Sequence, residues 1–262
     1  MPDAAQMTPA ELVARYEDME PVVTYRHAGA EMRYCAPNRL ILWRVETVLE
    51  KEPDTIAWID GFAPGDTLLD IGANIGLYTI WAAVLRGARV FAFEPEAQNY
   101  ATLCRNIALN NLSERVTGYC AALADESGFG ALHVSHASAG HSCHSFGEAV
   151  DFHLAPRVFP FAQGSFAVKL DELVQANVVP VPRHIKIDVD GIEHKVVAGA
   201  AGTLADPRCA SVLVEINRAL PEHRRIVERL GELGFCYSQA ESDASMRTDG
   251  LFKGCGNYVF RR

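Results

Sequence analysis

The chain has 262 residues, of which 49% are hydrophobic, and it carries a formal net charge of −9 at pH 7. This length and apolar content predict one large domain, or one domain with an extension, around an ample core. The acidic balance, without a lysine or arginine block, argues against nucleic acid and anionic membranes as partners, and no apolar run approaches the roughly 18 residues of a membrane helix.

The first 60 residues are expected to form a mainly helical extension ahead of a domain at 61–262. Residues 1–6 lack the basic and apolar regions of a signal peptide, so we expect a cytoplasmic protein. Thr8 and Glu11 fit the capping box of a first helix. A polar, strand-like stretch and a second helical pattern at 40–49 follow. The extension either covers the site as a lid or packs on the domain.

Seven cysteines are dispersed along the chain without a C-x-x-C pair. In a cytoplasmic protein this pattern is typical of reduced, mostly buried thiols. It argues against a cysteine-rich zinc site.

The stretch from 64 to 95 predicts a strand, a glycine turn, a helix and a second strand that ends on an acid. An apolar strand leads into residues 70–76, DIGANIG, and apolar residues then recur at helical spacing. The two glycines allow close approach of backbone to a ligand, and the new helix offers free N–H groups. Glu94, at the tip of the second strand, is placed to accept hydrogen bonds from a ribose diol. This order predicts a nucleoside-binding half-fold.

The composition of the turn indicates which nucleoside binds. A dinucleotide site needs G-x-G-x-x-G, whereas this turn reads G-x-x-x-G with Asn74 at its middle. Asp70, before the first glycine, would repel a pyrophosphate but suit an ammonium or sulfonium group. The turn therefore predicts S-adenosylmethionine as the cofactor. The predicted cofactor-binding residues are Asp70, Gly72, Asn74, Gly76, Glu94, Pro95 and Ala122.

Beyond this unit, residues 65–220 alternate between strands and helices, which predicts a mostly parallel sheet. Further strands are expected at 116–119, with 121–123 at its tip, at 184–188 and at 211–216, and helices at 97–110 and 221–233. The segments at 235–237 and 257–260 are expected to pair as antiparallel strands around a polar loop. The fold class is therefore α/β, with a parallel sheet, antiparallel C-terminal strands and a helical N-terminal extension.

The interval 125–169 departs from the alternation, and intervals this long are usually functional. It contains His133, His136, His141, His144 and His153 among serines and glycines. The spacing could suggest a metal cluster, but alternation of apolar and polar residues also fits a solvated hairpin, which we favour for most of these histidines. His141 and His144 lie in the glycine–serine tip, where a substrate loop would be.

Five motifs, in order along residues 50–220, resemble those of the FkbM-type methyltransferases. They are 70–76 (DIGANIG), 93–95 (FEP), 106–110 (NIALN), 169–173 (KLDEL) and 185–193 (IKIDVDGIE), with flanking likeness at 52–55 and 214–217. The resemblance implies a class I, Rossmann-like methyltransferase fold, S-adenosylmethionine as donor and usually O-methylation of a small-molecule acceptor, a natural product or glycan. Asp190 stands where the family commonly has glutamate, which affects the expected substrate contacts.

An alcohol that accepts a methyl group needs a group to take its proton. Asp188 lies at the carboxyl end of a strand, where ligands of open α/β sheets bind. We expect Asp188 to be the base, with Glu193 one helical turn away, and His141 and His144 as alternative bases. The other interpretation of Asp188 is a carboxylate that caps the following helix.

Three alternatives stay open. Asp188, Glu215 and Asn217 offer oxygen ligands suited to Mg²⁺, which would lower the pKa of a bound hydroxyl. A nicotinamide-dependent oxidoreductase shares the half-fold, although Asp70 and Asn74 argue against pyrophosphate binding. A non-catalytic scaffold that keeps the fold is the third, and the intact cofactor turn argues against it.

Overall fold

A computed structural model of the chain describes residues 7–19 and 21–262, so the expectation for residues 1–6 lies outside the described residues. Its helices are α1 Pro9–Asp18, α2 Arg39–Glu46, α3 Val48–Lys51, α4 Pro53–Asp60, α5 Leu77–Leu85, α6 Ala97–Leu109, α7 Leu170–Gln175, α8 Glu193–Gly199, α9 Ala201–Ala205, α10 Pro221–Glu232 and α11 Gln239–Ala244. Its strands are β1 Val22–His27, β2 Ala30–Cys35, β3 Thr67–Ile71, β4 Arg89–Phe93, β5 Val116–Tyr119, β6 Ala122–Leu123, β7 Gly128–Val134, β8 Ser145–Phe146, β9 Phe161–Val168, β10 His184–Ile187, β11 Ser211–Asn217, β12 Cys236–Tyr237 and β13 Cys255–Arg261.

The central sheet has the strand order β12-β13-β11-β10-β3-β4-β5. Strands β11, β10, β3, β4 and β5 are parallel, and β13 pairs antiparallel with both β11 and β12. Successive side chains of β3 point to opposite faces of the sheet. Leu68 therefore packs in the apolar cluster on one face and Leu69 in the cluster on the other face. The prediction of a mostly parallel sheet with antiparallel C-terminal strands is confirmed.

A second, four-stranded sheet has the order β6-β9-β7-β8. Strands β7 and β9 form its antiparallel centre, so the hairpin interpretation of the 125–169 interval is confirmed. Residues 121–123 follow the carboxyl end of β5, as expected. Ala122 and Leu123 also pair in parallel with Ala167 and Val168 of β9, and this pairing carries the chain from the first sheet into the second.

The N-terminal extension divides into a helix, a hairpin and three short helices. Helix α1 begins with the predicted capping box and has no buried residue. The β1–β2 hairpin packs on α5 and α6, where the side-chain oxygen of Asn106 accepts a 2.7 Å hydrogen bond from the Cys35 N–H. Helix α4 begins at Pro53, because proline suits the first turn of a helix.

The boundary at residue 60 stays a prediction. Met32, Ile41 and Ile59, before it, belong to the same buried cluster as Leu68 and Ile80, after it. In the described part of the chain, none of the helices combines the length and apolar character needed to cross a bilayer.

Candidate active site

A cavity of about 400 Å³ lies at the carboxyl ends of the central parallel strands. Pockets of this size are typical of small-molecule sites. Three parts of the chain form its wall: the turns after β3 and β4 with the 121–123 segment, the strand ends at β10 and β11, and a rim from α2, α3, the second sheet and the 247–252 loop. The predicted residues Gly72, Asn74, Glu94, Pro95, Ala122, His144 and Asp188 all line it.

The glycine turn is fixed by packing within the protein. Gly72 and Gly76 have φ of +78° and +83°, and Asn74 has φ of +52°. A Cβ on Gly72 would lie 1.8 Å from the carbonyl oxygen of Asp188, and one on Gly76 would lie 2.4 Å from Cδ1 of Leu103. These glycines are therefore required by the neighbouring strand and helix, whatever ligand approaches the turn. Gly72 lines the cavity, and Gly76 is not among the lining residues.

Glu94 presents a buried carboxyl group to the cavity. Its oxygens accept hydrogen bonds from the backbone N–H of Asn74 at 2.8 Å and of Glu96 at 2.9 Å. Burial raises the pKa of Glu94 to about 7, although those two N–H groups act in the opposite direction. A poorly solvated carboxylate gains most from additional hydroxyl donors, so this wall suits a ribose diol.

Asp70 lies behind the turn, fully buried and outside the set of cavity-lining residues. The hydroxyl of Thr79 donates to its Oδ2 at 2.6 Å, and Nζ of Lys186 lies 3.9 Å from its Oδ1. Burial raises the pKa of Asp70, and the charge of Lys186 opposes that rise. The predicted contact between Asp70 and the cofactor therefore stays a prediction.

Three carboxyl groups converge at the strand ends. Asp188, Asp190 and Glu215 each bring an oxygen within 4.8 Å of the others. Lys186 donates to Asp188 at 2.9 Å, and Arg247 donates to Glu215 at 2.6 Å. The group combines three acids and two bases in one partly buried network.

Asp190 differs from its two neighbours in its partner. Its Oδ2 accepts a 2.6 Å hydrogen bond from the Cys143 N–H, and among the described residues no cation forms an ion pair with it. Burial and the nearby charge of Asp188 raise the pKa of Asp190 to about 7. Its backbone is left-handed, with φ of +59°. Asp190 is thus a carboxyl group at the cavity that can exchange a proton near neutral pH.

Glu193 is fully buried away from the cavity. It accepts hydrogen bonds from the N–H groups of Val189 and Gly191, each at 3.0 Å, and pairs with His223 at 3.1 Å. Burial acts to raise the pKa of Glu193, but His223 and the backbone N–H groups of Val189 and Glu193 itself outweigh it and lower the pKa. The N–H of Gly191 is thus satisfied by Glu193, while Asp188 faces the cavity.

Asn217, a predicted Mg²⁺ ligand, points elsewhere. Its amide donates to the Phe152 carbonyl at 3.4 Å, and its oxygen accepts from the Ala219 N–H at 3.0 Å. The third oxygen ligand beside Asp188 and Glu215 would therefore come from Asp190 and not, as the sequence had suggested, from Asn217.

Residues 135–144, here termed the histidine loop, are held against the cavity by side chains from other elements. The carbonyl of His141 accepts hydrogen bonds from the amides of Asn74 at 2.8 Å and Asn99 at 3.0 Å. The carbonyl of Gly140 accepts from Nε of Arg44 at 2.7 Å. The ring of His141 stacks on His136 and is not among the lining residues.

His144 is the histidine that reaches the cavity. Its Nδ1 accepts the Ser135 N–H at 3.1 Å, so in the neutral ring the proton lies on Nε2. This Nε2 is buried without a partner in the described part of the chain. Burial lowers the pKa of His144 to about 4, so the ring stays neutral near pH 7.

Several lining residues were missed by sequence reasoning. Trp43, Arg44 and Glu52 reach the cavity from the extension, whereas no residue of α1 does. Glu52 lies in the 52–55 stretch that resembles a flanking motif of the family, but nothing in the local pattern marks Trp43 or Arg44, because their position depends on how α2 packs. Lys186 did carry a signal, since a lysine between two isoleucines of a buried strand needs a specific partner.

Comparison with known proteins decides the family. Residues 70–237 match the FkbM methyltransferase domain. The chain belongs to the FkbM methyltransferase family. It is an S-adenosylmethionine-dependent methyltransferase, as the turn and the motifs predicted.

Relatives of this FkbM family member include two curated enzymes. The hexuronic acid methyltransferase AglP of Haloferax volcanii is 28% identical over 198 residues, 72% of each chain. The 31-O-demethyl-FK506 methyltransferase FkbM of Streptomyces tacrolimicus is 29% identical over 177 residues, 59% of this chain and 66% of that enzyme.

A solved structure agrees on the fold. The methyltransferase FkbM of Methylobacillus flagellatus superimposes with a TM-score of 0.50 at 14% identity, covering 86% of this chain and 55% of that one. The class I methyltransferase fold is thus confirmed.

The cavity fits the cofactor of this family by the chemistry of its wall. The desolvated Glu94 carboxyl suits a diol, the small side chains of Ala73, Ala121 and Ala122 leave room for a planar base, and the acids beside Lys186 suit a cationic sulfonium.

Proposed function

We propose that the protein is an O-methyltransferase acting on a hydroxyl group of a sugar or a related natural product. The observation that carries this proposal is the convergence of Asp188, Asp190 and Glu215 at the cavity, where no cation of the described residues forms an ion pair with Asp190. Such a carboxyl group can take the proton that an alcohol loses. The names of the two curated relatives, one acting on a hexuronic acid and one on an O-demethyl natural product, agree with this class of acceptor.

The cofactor residues have distinct roles in this proposal. Bound S-adenosylmethionine supplies an activated methyl group. Glu94 would accept the ribose hydroxyls, Gly72 and Asn74 would shape the turn, and Pro95 and Ala122 would form the wall beside it. Asp70 and Gly76 would support the turn from behind, through Lys186 and Leu103.

The acceptor hydroxyl would lose its proton to the carboxylate pair. Asp188 is the base that the sequence predicted, but its Oδ2 already accepts from Lys186. Asp190, two residues later, has a pKa raised to about 7 by burial and by Asp188. A base whose pKa lies near the working pH transfers protons most efficiently. We therefore propose Asp190 as the proton acceptor and Asp188 as the neighbour whose charge sets the basicity of Asp190.

The histidines and Glu193 have other roles in this proposal. His144 carries its proton on Nε2 and donates there rather than accepting a proton. His141 contributes its carbonyl oxygen to the anchoring of the histidine loop. Glu193 holds the β10–α8 turn.

Mg²⁺ is a second candidate for activating the hydroxyl, since Asp188, Asp190 and Glu215 offer oxygen ligands. Lys186 and Arg247 already neutralise two of these carboxylates. We propose that the reaction proceeds without the ion, and treatment with EDTA should leave the rate unchanged. A loss of rate that Mg²⁺ restores, and that Glu215→Ala abolishes, would favour the metal.

The decisive experiment measures S-adenosylhomocysteine release with a panel of hydroxyl-bearing sugars and polyketide alcohols. Asp190→Asn should lower kcat about 10²-fold or more, the usual contribution of a general base, with S-adenosylhomocysteine affinity unchanged. Asp188→Asn should lower kcat and also shift the acidic limb of the pH–rate profile. Full activity of Asp190→Asn would return the role to Asp188. Tighter binding of NADH than of S-adenosylhomocysteine would instead favour the oxidoreductase.

A further inference from the structure

The cavity has a part that the proposed cofactor residues do not occupy. The turns at 72–75 and 94–95 and the 121–123 segment form one side. A further part of the wall comes from Trp43 and Arg44 of α2 and from His144 of the histidine loop, which Asn74 anchors to the cofactor turn. An acceptor bound beside Asp190 would meet this rim.

Arg44 is a rim cation without an ion-pair partner among the described residues, although its charge opposes the rise in the pKa of Asp190. Lys51 pairs with Glu52 at 3.1 Å, and Arg247 pairs with Glu215 at 2.6 Å. Arg44 donates from Nε to the Gly140 carbonyl, and in the described ranges neither of its terminal nitrogens has a partner. The Nε bond fixes the plane of the guanidinium, so its two remaining donor groups are oriented before any ligand arrives.

His144 adds a second unpartnered donor to the same wall. Its Nε2–H is buried, and the Ser135 N–H on the other side of the ring fixes this tautomer. A buried donor without an acceptor costs free energy, which a ligand oxygen would recover. The Arg44–Gly140 hydrogen bond ties Arg44 to the loop that carries His144. Both donors are therefore positioned by one connected piece of structure.

Trp43 precedes Arg44 and supplies a flat apolar surface. Its ring lines the cavity and is 47% exposed. A large aromatic side chain left open at a cavity rim is suited to pack against the C–H face of a ring. The two donors of Arg44 and His144 suit an anionic oxygen, and the exposed ring of Trp43 suits the face of a sugar ring.

We propose that the acceptor is an acidic sugar whose carboxylate binds Arg44 and His144 and whose ring packs on Trp43. This inference rests on the proposed O-methyltransferase function and specifies its substrate class. The carboxylate is the recognised group, while a ring hydroxyl near Asp190 accepts the methyl group and loses its proton to Asp190.

The test compares two probes that differ in one group: methyl β-D-glucuronide and methyl β-D-glucoside. Their affinities for the S-adenosylhomocysteine-loaded protein are measured by calorimetry. The glucuronide should bind about tenfold or more tightly, as expected for hydrogen bonds to a charged group. Arg44→Met should abolish this preference, and Trp43→Ala should weaken both sugars alike. Arg39→Met, an exposed arginine on the same helix, is the matched control and should change neither affinity.

Equal affinities in the unmodified protein, no binding of either sugar, or a preference that survives Arg44→Met would each overturn the proposal. If Arg44→Met weakens S-adenosylhomocysteine instead, the guanidinium holds the cofactor carboxylate and the proposal is also wrong. Should Arg44→Met fail to fold, His144→Phe keeps the ring shape and should reduce the same preference. Equal affinities or a preference that survives Arg44→Met would overturn this inference and leave the proposed O-methyltransferase function standing, whereas failure of the unmodified protein to bind S-adenosylhomocysteine would overturn the proposed function beneath it.

Discussion

Two clusters of titratable side chains lie at opposite ends of the parallel strands of the central sheet, one at the amino ends (the amino edge) and one at the carboxyl ends (the carboxyl edge). At the amino edge, His184 contacts Ser211 Oγ at 2.7 Å through Nδ1 and Asp66 at 3.0 Å through Nε2. Trp58 donates to the same Ser211 oxygen at 2.9 Å, and Phe62 stacks on the histidine at 3.8 Å. The residue types are those of a Ser–His–Asp triad, yet none of these five lines the cavity.

The cluster at the carboxyl edge has the opposite character. Asp190 has no cation partner among the described residues, and Nε2 of His144 has no partner there at all. Both line a cavity of about 400 Å³. Residue types alone therefore do not distinguish the two clusters. Of the two, the cluster at the carboxyl ends of the strands lies beside open volume, which is where ligands of parallel sheets bind.

The largest loss of cofactor binding is expected from a substitution at Gly72, where the carboxyl edge leaves no room for a side chain. Gly72→Val places carbon atoms at the position of the Asp188 carbonyl oxygen, 1.8 Å from an ideal Cβ, on a residue with φ of +78°. Calorimetry should detect no S-adenosylhomocysteine binding. Gly164→Ala, at a site with nothing within 4 Å, is the matched control and should bind normally. Normal binding by Gly72→Val would remove the turn from the cofactor site.

A smaller effect is expected at Glu94. Glu94→Ala should weaken S-adenosylhomocysteine binding by about 1.5–3 kcal/mol, the range for hydrogen bonds to a charged group. Because burial raises the pKa of Glu94 to about 7, the carboxyl is protonated below that pH. Affinity in the unmodified protein should therefore rise as the pH increases through 7, with release of a proton.

Calorimetry in two buffers of different ionisation enthalpy checks that proton release. Glu94→Gln should abolish this proton release and make the affinity independent of pH.

The same pKa affects the stability of the unliganded protein. Since the folded-state pKa is above the ordinary value of 4.5, protonation stabilises the unliganded protein at pH 5, and this contribution is lost as the pH rises through 7. A pH-independent affinity would contradict the assignment of Glu94 to the ribose.

A substitution at the amino edge should lower the free energy of unfolding but leave catalysis unchanged. His184→Phe keeps an aromatic ring against Phe62 but leaves Ser211 and Asp66 without their partner. We expect a loss of about 1–3 kcal/mol in the free energy of unfolding, measured in urea. The values of kcat and KM for the folded enzyme should match those of the unmodified protein. A fall in kcat at unchanged stability would mean that this edge is also functional, which would contradict the contrast drawn between the two edges.

The smallest effect is expected from removing residues 1–19. Helix α1 buries none of its residues and contributes none to the cavity wall. The deletion should leave acceptor KM and cofactor affinity unchanged in a steady-state assay. A raised acceptor KM would instead support a lid formed by α1.

Much of the fold was predictable because local signals agreed with the tertiary structure. The capping box of Thr8, the glycine turn and the apolar strands all act over a few residues. The pairing of Ala122 with β9 was not predictable, since it depends on a partner more than forty residues away.

The candidate site was predictable only in part, for a related reason. Asp188 and Glu94 follow strands, so their edge of the sheet could be inferred. The sequence does not show that Lys186 pairs with Asp188 and not with Asp190, which decides their different basicity. Nor does it show that Arg44 reaches the cavity, since that depends on a bond to Gly140 almost a hundred positions away.

One feature joins the cofactor turn to the rest of the cavity. Asn74 sits in the turn, yet its amide holds the His141 carbonyl, together with the amide of Asn99. The backbone N–H of Asn74 also donates to Glu94. A ligand that stiffens this turn therefore stiffens the histidine loop, and the two binding events are thermodynamically linked. Because such coupling is reciprocal, each ligand should bind more tightly when the other is already bound.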